Sequence, residues 1–292
     1  MQNRKLVYGI LIFLLALSVI LGTVVFYSLN SRDLKVIFLD VSQGDAILIS
    51  QGQNQILIDG GKNGKLLLEK LGKYIPFWDR TIEVVVATHP DQDHIGGLID
   101  VTRSYDVSTV LETKAKSDSQ TYKAWKETVN NEGSQQLEAV KDLTIRFPES
   151  IEVQVLYPPL PIESSNQSNN NQYSVAMKLT YGENKFLLTG DLPGIQEQEL
   201  INNGVDVSSQ ILKVAHHGSK YSTSDEFLQV VRPVEAVISV GKNNMYGHPN
   251  SEIIQKLLKR GITVWRTDEM GDIIYKCNPP TGGAKCKIEF NQ

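Results

Sequence analysis

Four side chains that can bind metal ions fall within six residues of this sequence, at His89, Asp91, Asp93 and His94. They directly follow residues 81–88, a continuous run rich in β-branched side chains that predicts a buried strand. Imidazole and carboxylate groups are common protein ligands of divalent ions such as zinc and manganese. Because a loop lets these side chains point in different directions, the sequence predicts a site for two divalent ions a few ångströms apart.

The chain has five histidines, and each lies just after a predicted strand. His89 and His94 follow residues 81–88, His216 and His217 follow residues 211–215, and His248 follows residues 236–240. Asp191 ends a further strand-like run, Phe-Leu-Leu-Thr-Gly-Asp. Surface or capping histidines placed by chance do not explain this pattern. The sequence therefore predicts that these side chains share one site.

Four short motifs carry a family resemblance: His-x-Asp-x-Asp-His-x-Gly-Gly at 89–97, Leu-Leu-Thr-Gly-Asp at 187–191, His-His-Gly-Ser at 216–219 and Tyr-Gly-His-Pro at 246–249. Together they resemble the metallo-β-lactamase superfamily, and within it the extracytoplasmic hydrolase domain of the ComEC competence proteins. Residues 38–46, 57–61 and 265–271 are similar to the opening and closing segments of that domain. The resemblance implies an α/β fold, an αββα sandwich with its metal site at one edge of the two sheets.

The resemblance also implies roles for individual residues. Asp191 is expected to bridge two metal ions, with His89 and Asp91 on the first ion and Asp93 and His94 on the second. Either His216 or His217 completes the second site, and the other donates a proton or contacts the substrate. His248 is either a ligand or an acid. The expected metal ligands are thus His89, Asp91, Asp93, His94, Asp191, His216 and His217, and the expected catalytic residues are His217, His248 and Asp93.

Two positions depart from the wider superfamily. Asp91 stands where most members have histidine, which makes the first ion's surroundings richer in oxygen and manganese plausible beside zinc. The histidine that many relatives supply before the bridging aspartate is absent, and Asn170, Asn171 and Ser174 occupy that neighbourhood. The first site is therefore expected to be the weaker one. Asp40, Asp45 and Asp59 either orient the histidines or stabilise tight turns.

The expected reaction is hydrolysis by a phosphodiesterase or nuclease that acts on single- or double-stranded DNA in a competence-type uptake role. With 29 Lys and Arg against 33 Asp and Glu, the net charge of −4 excludes binding of nucleic acid by bulk attraction. Lys213, Lys220, Lys242 and Arg266 are candidates for a local basic rim. One alternative is a hydrolase of a small phosphoester, such as a lipid headgroup, a wall-polymer unit or a nucleotide. The other is a non-catalytic, metal-stabilised binding module of a membrane assembly.

The N-terminus predicts a membrane segment. Arg4 and Lys5 precede an uncharged apolar run at residues 6–27, which is long enough to cross a ~30 Å hydrocarbon core as a helix. The run is longer than a cleavable signal usually is and lacks its small-residue exit. We therefore expect a single-pass anchor at residues 1–30 and an extracytoplasmic hydrolase domain at 31–292, with a secreted, cleaved form as the alternative. The sequence indicates no protein partner.

Short apolar runs alternate with helical patterns after residue 31, without a break in composition, which favours one domain. Strands are predicted at 34–39, 46–50, 55–59, 81–88, 175–181, 185–189, 211–215, 236–240 and 263–267, and helices at 65–74, 196–203, 225–231 and 252–260. Residues 164–172 are rich in Ser, Asn and Gln and predict a mobile loop. Cys277 and Cys286 flank a turn-rich stretch, so they are expected to pair across a hairpin in an oxidising compartment.

Overall fold

The structure is a computed structural model that describes residues 2–29, 33–147, 151–160, 170–279 and 285–289. Within them the helices are α1 (Gln2–Leu29), α2 (Gly64–Tyr74), α3 (Gln92–Ile95), α4 (Leu98–Ser104), α5 (Gln120–Glu132), α6 (Gly194–Asn202), α7 (Asp225–Val231), α8 (Ser251–Lys259) and α9 (Thr267–Met270). Two 3₁₀ turns lie at Asn170–Tyr173 and Ala215–Gly218.

The strands of the first sheet run in the spatial order β15-β14-β1-β2-β3-β4-β5-β6. Their bounds are β1 (Leu34–Phe38), β2 (Ile47–Gln51), β3 (Asn54–Ile58), β4 (Thr81–Ala87), β5 (Asp106–Glu112), β6 (Gln135–Glu138), β14 (Ile273–Cys277) and β15 (Lys287–Glu289). The second sheet has the order β13-β12-β11-β10-β9-β8-β7. It contains β7 (Thr144–Phe147), β8 (Ile151–Tyr157), β9 (Ala176–Tyr181), β10 (Asn184–Leu188), β11 (Ile211–Lys213), β12 (Glu235–Ile238) and β13 (Thr263–Arg266).

The two sheets pack face to face, and helices cover both outer faces. Phe38 and Ile58 of the first sheet share one buried cluster with Leu179 and Phe186 of the second. Outside the first sheet, α2, α4 and α5 bury apolar side chains such as Leu67, Val101 and Trp125. Outside the second, α6, α7 and α8 bury Leu200, Phe227 and Leu257. The expected αββα sandwich is confirmed.

Strand β4 shows why this sequence forms a buried, central element. Val84, Val85 and Val86 follow one another, so the strand presents apolar side chains to both faces of the sheet. One set enters the core between the sheets, and Val85 packs under the helices. Because β4 pairs in parallel with both β3 and β5, its carboxyl end is placed beside theirs at one edge.

The sequence-based elements agree with the structure to within about two residues at each end. The differences that matter lie at the site: the strand expected at 211–215 ends at Lys213, and a 3₁₀ turn takes over. Residues 164–169 of the expected mobile loop lie outside the described residues, and 170–172 belong to a 3₁₀ turn. The glycines at 96 and 97 predicted the exit into a helix, where the structure has α4, but the sequence pattern predicted no elements between residues 106 and 157, where the structure has α5 and β5 to β8.

Helix α1 precedes this domain. The stretch Arg4–Val25 is long and apolar enough to cross a membrane, and a signal sequence near the N-terminus has the same properties. Its side chains from Arg4 to Val24 are exposed. At the other end of the chain, Cys277 and Cys286 form a disulfide that joins β14 to the short edge strand β15, as the hairpin prediction required.

Replacing both cysteines by alanine is expected to lower the free energy of unfolding by up to about 2.5 kcal/mol, because the crosslink closes a loop of about ten residues in the unfolded chain. Urea unfolding of the double variant, compared with the wild type before and after reduction, measures this. If reduction destabilises the double variant as much as the wild type, the disulfide is not the source of the effect.

Candidate metal centre

The carboxyl ends of strands from both sheets meet at one edge of the sandwich. His89 follows β4 of the first sheet, and Asp191 follows β10 of the second. The adjacent β11 leads into His216 and His217, and the loop after β12 carries His248. All of the sequence-predicted site residues are therefore brought to the same edge.

The loop that carries the first motif is clamped by the loop after β3. The Gly60 N–H donates to the His94 carbonyl at 2.7 Å, and the Gly97 N–H donates to the Gly61 carbonyl at 2.9 Å. A side chain at Gly97 would clash, because its Cβ would lie 2.0 Å from the Gly60 carbonyl oxygen. The glycines of the motif thus allow α3 to sit against the sheet edge and fix His94 there.

Three buried imidazoles direct an unpaired nitrogen at one carboxylate. The Nε2 atoms of His89, His94 and His217 are buried without a hydrogen-bond partner. They lie 3.9, 3.4 and 3.6 Å from the carboxylate oxygens of Asp191. Asp191 Oδ1 is also buried and unpaired. Unpaired buried polar atoms are costly, and several that face each other across a small gap have the arrangement of ligands around a cation.

The opposite nitrogen of each imidazole is held by the protein. His94 Nδ1 lies 2.7 Å from Asp59, and His217 Nδ1 lies 2.8 Å from the Ser239 carbonyl. Both partners accept hydrogen bonds, so each Nδ1 carries a proton, and each Nε2 can give its lone pair to a cation that displaces a proton there. His89 Nδ1 lies between the hydroxyls of Thr88 and Ser174, at 3.0 and 3.1 Å. These contacts therefore fix the three rings with Nε2 directed toward Asp191.

Carboxylates complete two groups of ligands around Asp191. Asp91 Oδ2 lies 3.8 Å from His89 Nε2 on one side. Asp93 Oδ2 lies 3.5 Å from His217 Nε2 on the other. Two sets of three residues each have ligand atoms within 4.8 Å of one another. The first set is His89, His94 and Asp191, and the second is Asp93, His94 and His217. The donors present fit divalent cations in number, type and spacing.

His216 and His217 diverge although they are neighbours. Both residues have positive φ angles, 51° and 53°, so their side chains leave the backbone in different directions. His217 points into the buried ligand group, whereas the His216 side chain stays 30% exposed with its Nε2 3.8 Å from Asp191. Asn171 Nδ2 lies 3.4 Å from the His216 ring nitrogens.

His248 stands at the rim of the same site. Its ring centroid lies 5.5 Å from that of His216, and it stacks on Tyr246 at 5.9 Å. His248 Nδ1 has no hydrogen-bond partner. The Asn244 side-chain oxygen accepts the backbone N–H of both Tyr246 and His248, each at 3.1 Å, which fixes this loop beside the ligand groups.

The buried carboxylates of this site need more positive charge than the neighbouring side chains supply. Burial lowers the pKa of His217, but Asp191, Asp45 and Asp93 outweigh it and raise that pKa to about 10. Burial likewise lowers the pKa of His94, and Asp191 and Asp59 reverse this and raise it. Buried imidazoles that retain protons this tightly are surrounded by carboxylates that need a cation, and a divalent ion meets that need better than protons do.

Asp45 and Lys213 form a buried ion pair behind the site. Lys213 Nζ also donates to the Gly190 carbonyl at 3.1 Å, next to Asp191, and Asp45 Oδ1 lies 3.4 Å from His217 Nδ1. The expectation that Lys213 belongs to a basic rim is wrong, because its side chain is fully buried. The lysine is the last residue of β11 and points inward, which the sequence pattern alone did not reveal.

The structure distinguishes the roles of the remaining aspartates and of the residues near the missing histidine. Asp59 holds His94, as one of its two expected roles required, whereas Asp40 caps the turn at the Ser42 N–H. Ser174 contacts His89 and accepts the Asp191 N–H at 2.9 Å, and Asn170 donates to Asp91 at 3.1 Å. The neighbourhood of the missing histidine is thus filled by groups that orient ligands.

A cavity of about 120 Å³ opens above the ligand groups. It is lined by Gln43, Asp91, Asp93, Asn171, Asp191, His216, His217, Tyr246 and His248. Within the described part of the chain, these lining residues include no lysine or arginine. Arg266 is paired with Asp268 and Glu269. An anionic substrate would meet three carboxylates here, so it can bind only if cations are present.

Comparisons with known proteins agree with this geometry. The sequence-family model of the metallo-beta-lactamase superfamily matches residues 39–163 of this chain. ComE operon protein 3 of Bacillus subtilis (strain 168) is 31% identical over 267 residues, which cover 86% of this chain and 34% of that protein. Competence protein ComA of Neisseria gonorrhoeae is 34% identical over 128 residues, covering 44% of this chain and 18% of that protein. Among solved structures, the metallo-beta-lactamase fold protein YhfI of Bacillus subtilis matches with a TM-score of 0.53 at 11% identity, over 80% of this chain and 95% of that one.

The chain belongs to the metallo-beta-lactamase superfamily, which includes metal-dependent hydrolases. Within it, this chain is similar to the competence proteins. It spans about a third or less of the length of these curated relatives.

Asp59→Asn is expected to weaken divalent-metal binding about 10- to 100-fold, because the amide no longer holds the His94 Nδ1 proton as a carboxylate does. Isothermal titration calorimetry of the metal-free protein with Mn²⁺ or Zn²⁺ measures the change in affinity. Asp40→Asn is the matched control, since Asp40 caps a turn instead of a histidine. Equal metal affinities in the two variants would show that the Asp59 contact does not orient a ligand.

Proposed function

We propose that this protein is a membrane-anchored, extracytoplasmic, metal-dependent phosphodiesterase whose substrate is DNA. The observation that carries the proposal is the convergence of the unpaired Nε2 atoms of His89, His94 and His217 on the Asp191 carboxylate. Similarity to competence proteins supports DNA as the substrate. The apolar helix α1 supports the membrane anchor.

The site would hold two divalent ions, zinc or manganese, with Asp191 as a ligand shared by both. His89 and Asp91 would hold the first ion, and Asp93, His94 and His217 would hold the second. The fixed Nδ1 atom of His217 favours this residue over His216 as the ligand. The first site has one imidazole against two in the second and the same number of carboxylates, so oxygen is a larger share of its ligands, which favours manganese there.

Divalent ions supply Lewis acidity toward a phosphoryl oxygen and toward water. The chain's own residues do the rest. Asp191 lies between the two groups of ligands. Hydrogen bonds to Asp59 and the Ser239 carbonyl fix the orientation of His94 and His217, which face it. His216 and His248 lie at the open side of the cavity, where a phosphodiester would enter.

His248 is proposed as the proton donor to the leaving oxygen. Burial, together with His216 and His217, lowers its pKa, so the imidazolium gives up its proton readily. Proton donation requires the protonated form and therefore declines as pH rises through that pKa. His217 is less suited to this role, because both of its nitrogens face other groups of the protein.

A small phosphoester is the second candidate substrate. It is favoured by the acidic lining of the cavity, in which the described residues place no lysine or arginine to follow a long polyanion. The two candidates differ in their response to salt, since a polyanion that contacts several cations loses affinity steeply as salt rises.

Asp191→Ala is expected to abolish turnover of a chromogenic phosphodiester with manganese or zinc present, because it removes the carboxylate shared by both ion sites. Circular dichroism shows whether the variant keeps its fold. Asp206→Ala is the matched control, since Asp206 pairs with Lys178 away from the site. Undiminished turnover by a folded Asp191→Ala protein would remove this assignment.

Cleavage of DNA is expected to slow steeply between 50 and 200 mM salt, with KM rising by about tenfold or more, if the chain grips several phosphates. The chromogenic diester, a single small anion, serves as the internal control and should change little. If both substrates respond equally weakly, the small phosphoester becomes the favoured substrate class.

A further inference from the structure

Two aromatic side chains lie side by side on the surface, far from the metal centre. Phe77 and Trp78 occupy the loop between α2 and β4, with 81% and 42% of their surfaces exposed. Their rings touch edge to face, with centroids 4.9 Å apart. Contiguous exposed apolar surface of this kind is a feature of protein and membrane interaction sites.

The loop holds this pair outward by specific contacts. Ile75 is buried on one side, and the Asp79 N–H donates to the Pro76 carbonyl at 2.9 Å to close a turn. The Asp79 carboxylate accepts the Thr81 N–H at 3.2 Å and Gln55 Nε2 at 3.3 Å. The aromatic pair is therefore displayed by an anchored turn.

The pairing of the strands places this turn on the edge where the chain enters the domain. Strand β1 is antiparallel to β2, β2 is antiparallel to β3, and β3 is parallel to β4. Strands β1, β3 and β4 thus run in one direction and begin at the same edge. Three strand spacings, about 15 Å, separate the beginnings of β1 and β4.

A short segment of the chain connects α1 to this edge of the domain. Helix α1 ends at Leu29 and β1 begins at Leu34. Five peptide steps reach at most about 18 Å even when fully extended. If α1 crosses a bilayer, the edge that bears Phe77 and Trp78 is therefore held within reach of the surface of that bilayer.

We infer that the Phe77–Trp78 turn enters the headgroup region of the bilayer that α1 spans and forms a second contact between domain and membrane. The inference rests on the proposed membrane anchor and adds an orientation to it. Tryptophan and phenylalanine are suited to the membrane interface. Lys73 and Arg80 flank the pair and are exposed, so they can meet phospholipid phosphates.

The orientation that results places the metal centre on the far side of the domain. Strand β4 runs from Thr81 near the aromatic turn to Ala87, next to His89. The eight residue steps from Thr81 to His89 span about 25 Å at the rise of an extended strand. The cavity then opens away from the membrane, toward the aqueous phase.

Tryptophan quenching by brominated lipid tests the contact in the full chain. The chain has three tryptophans, Trp78, Trp125 and Trp265, and none of them lies in α1, so the anchor itself gives no signal. In vesicles of phosphatidylcholine and phosphatidylglycerol with bromine near the headgroup end of the acyl chains, we expect quenching of the wild type and its loss in Trp78→Phe. Leu258→Ser, which alters an exposed apolar residue on α8, is the matched control and should be quenched like the wild type.

Carbonate extraction of the same vesicles separates this inference from the proposed anchor. A chain that resists extraction but shows equal quenching in wild type and Trp78→Phe overturns the aromatic contact and leaves the anchor standing. A chain that carbonate extracts, but whose Trp78 is quenched beforehand, supports the contact and overturns the anchor. Protection of Trp78 from aqueous iodide in native membranes, without quenching in pure lipid vesicles, overturns the lipid contact in favour of a protein.

Discussion

The arrangement of this protein depends on carboxylates concentrated in a place with little water. Asp191 is buried at the centre of the ligand groups, with Asp45 and Asp59 buried behind them. Lys213 neutralises one of these charges, and the imidazoles can neutralise others only by holding protons. Such a cluster is stable when a cation lies at its centre. The hydrogen bonds that orient His94 and His217 therefore serve one purpose, to direct lone pairs at that position.

Neither sheet contains the site alone. The first sheet supplies His89 and His94 at the end of β4, and the second supplies Asp191 after β10 and His217 after β11. Ser174 joins the two halves, since its hydroxyl contacts His89 and accepts the Asp191 N–H. The packing of Phe38 and Phe186 between the sheets thus sets distances at the edge. The packing of the core therefore also determines the geometry of the ligands.

The sequence predicted which side chains meet at the sheet edge, because each lies where an apolar strand ends. Residues 81–88 and 211–215 carried that signal in their β-branched and apolar composition. The pattern could not predict Ser239, which acts through its backbone carbonyl, or the inward direction of Lys213, which depends on the neighbouring sheet and on Asp45. It also could not separate His216 from His217, because their divergence comes from two positive φ angles. Strands β6 and β7 were missed because their side chains are mostly exposed or half-buried and lack a clear apolar alternation.

If the aromatic turn lies at the lipid surface as inferred, the length of β4 sets the height of the metal centre above the bilayer. The opening of the cavity then stands about 25 Å above the lipid surface. At that height the headgroups of the supporting leaflet are out of reach, whereas a strand of polymer in the aqueous phase arrives at the level of the opening. The fold would in this way select where its substrate comes from before any chemical recognition takes place.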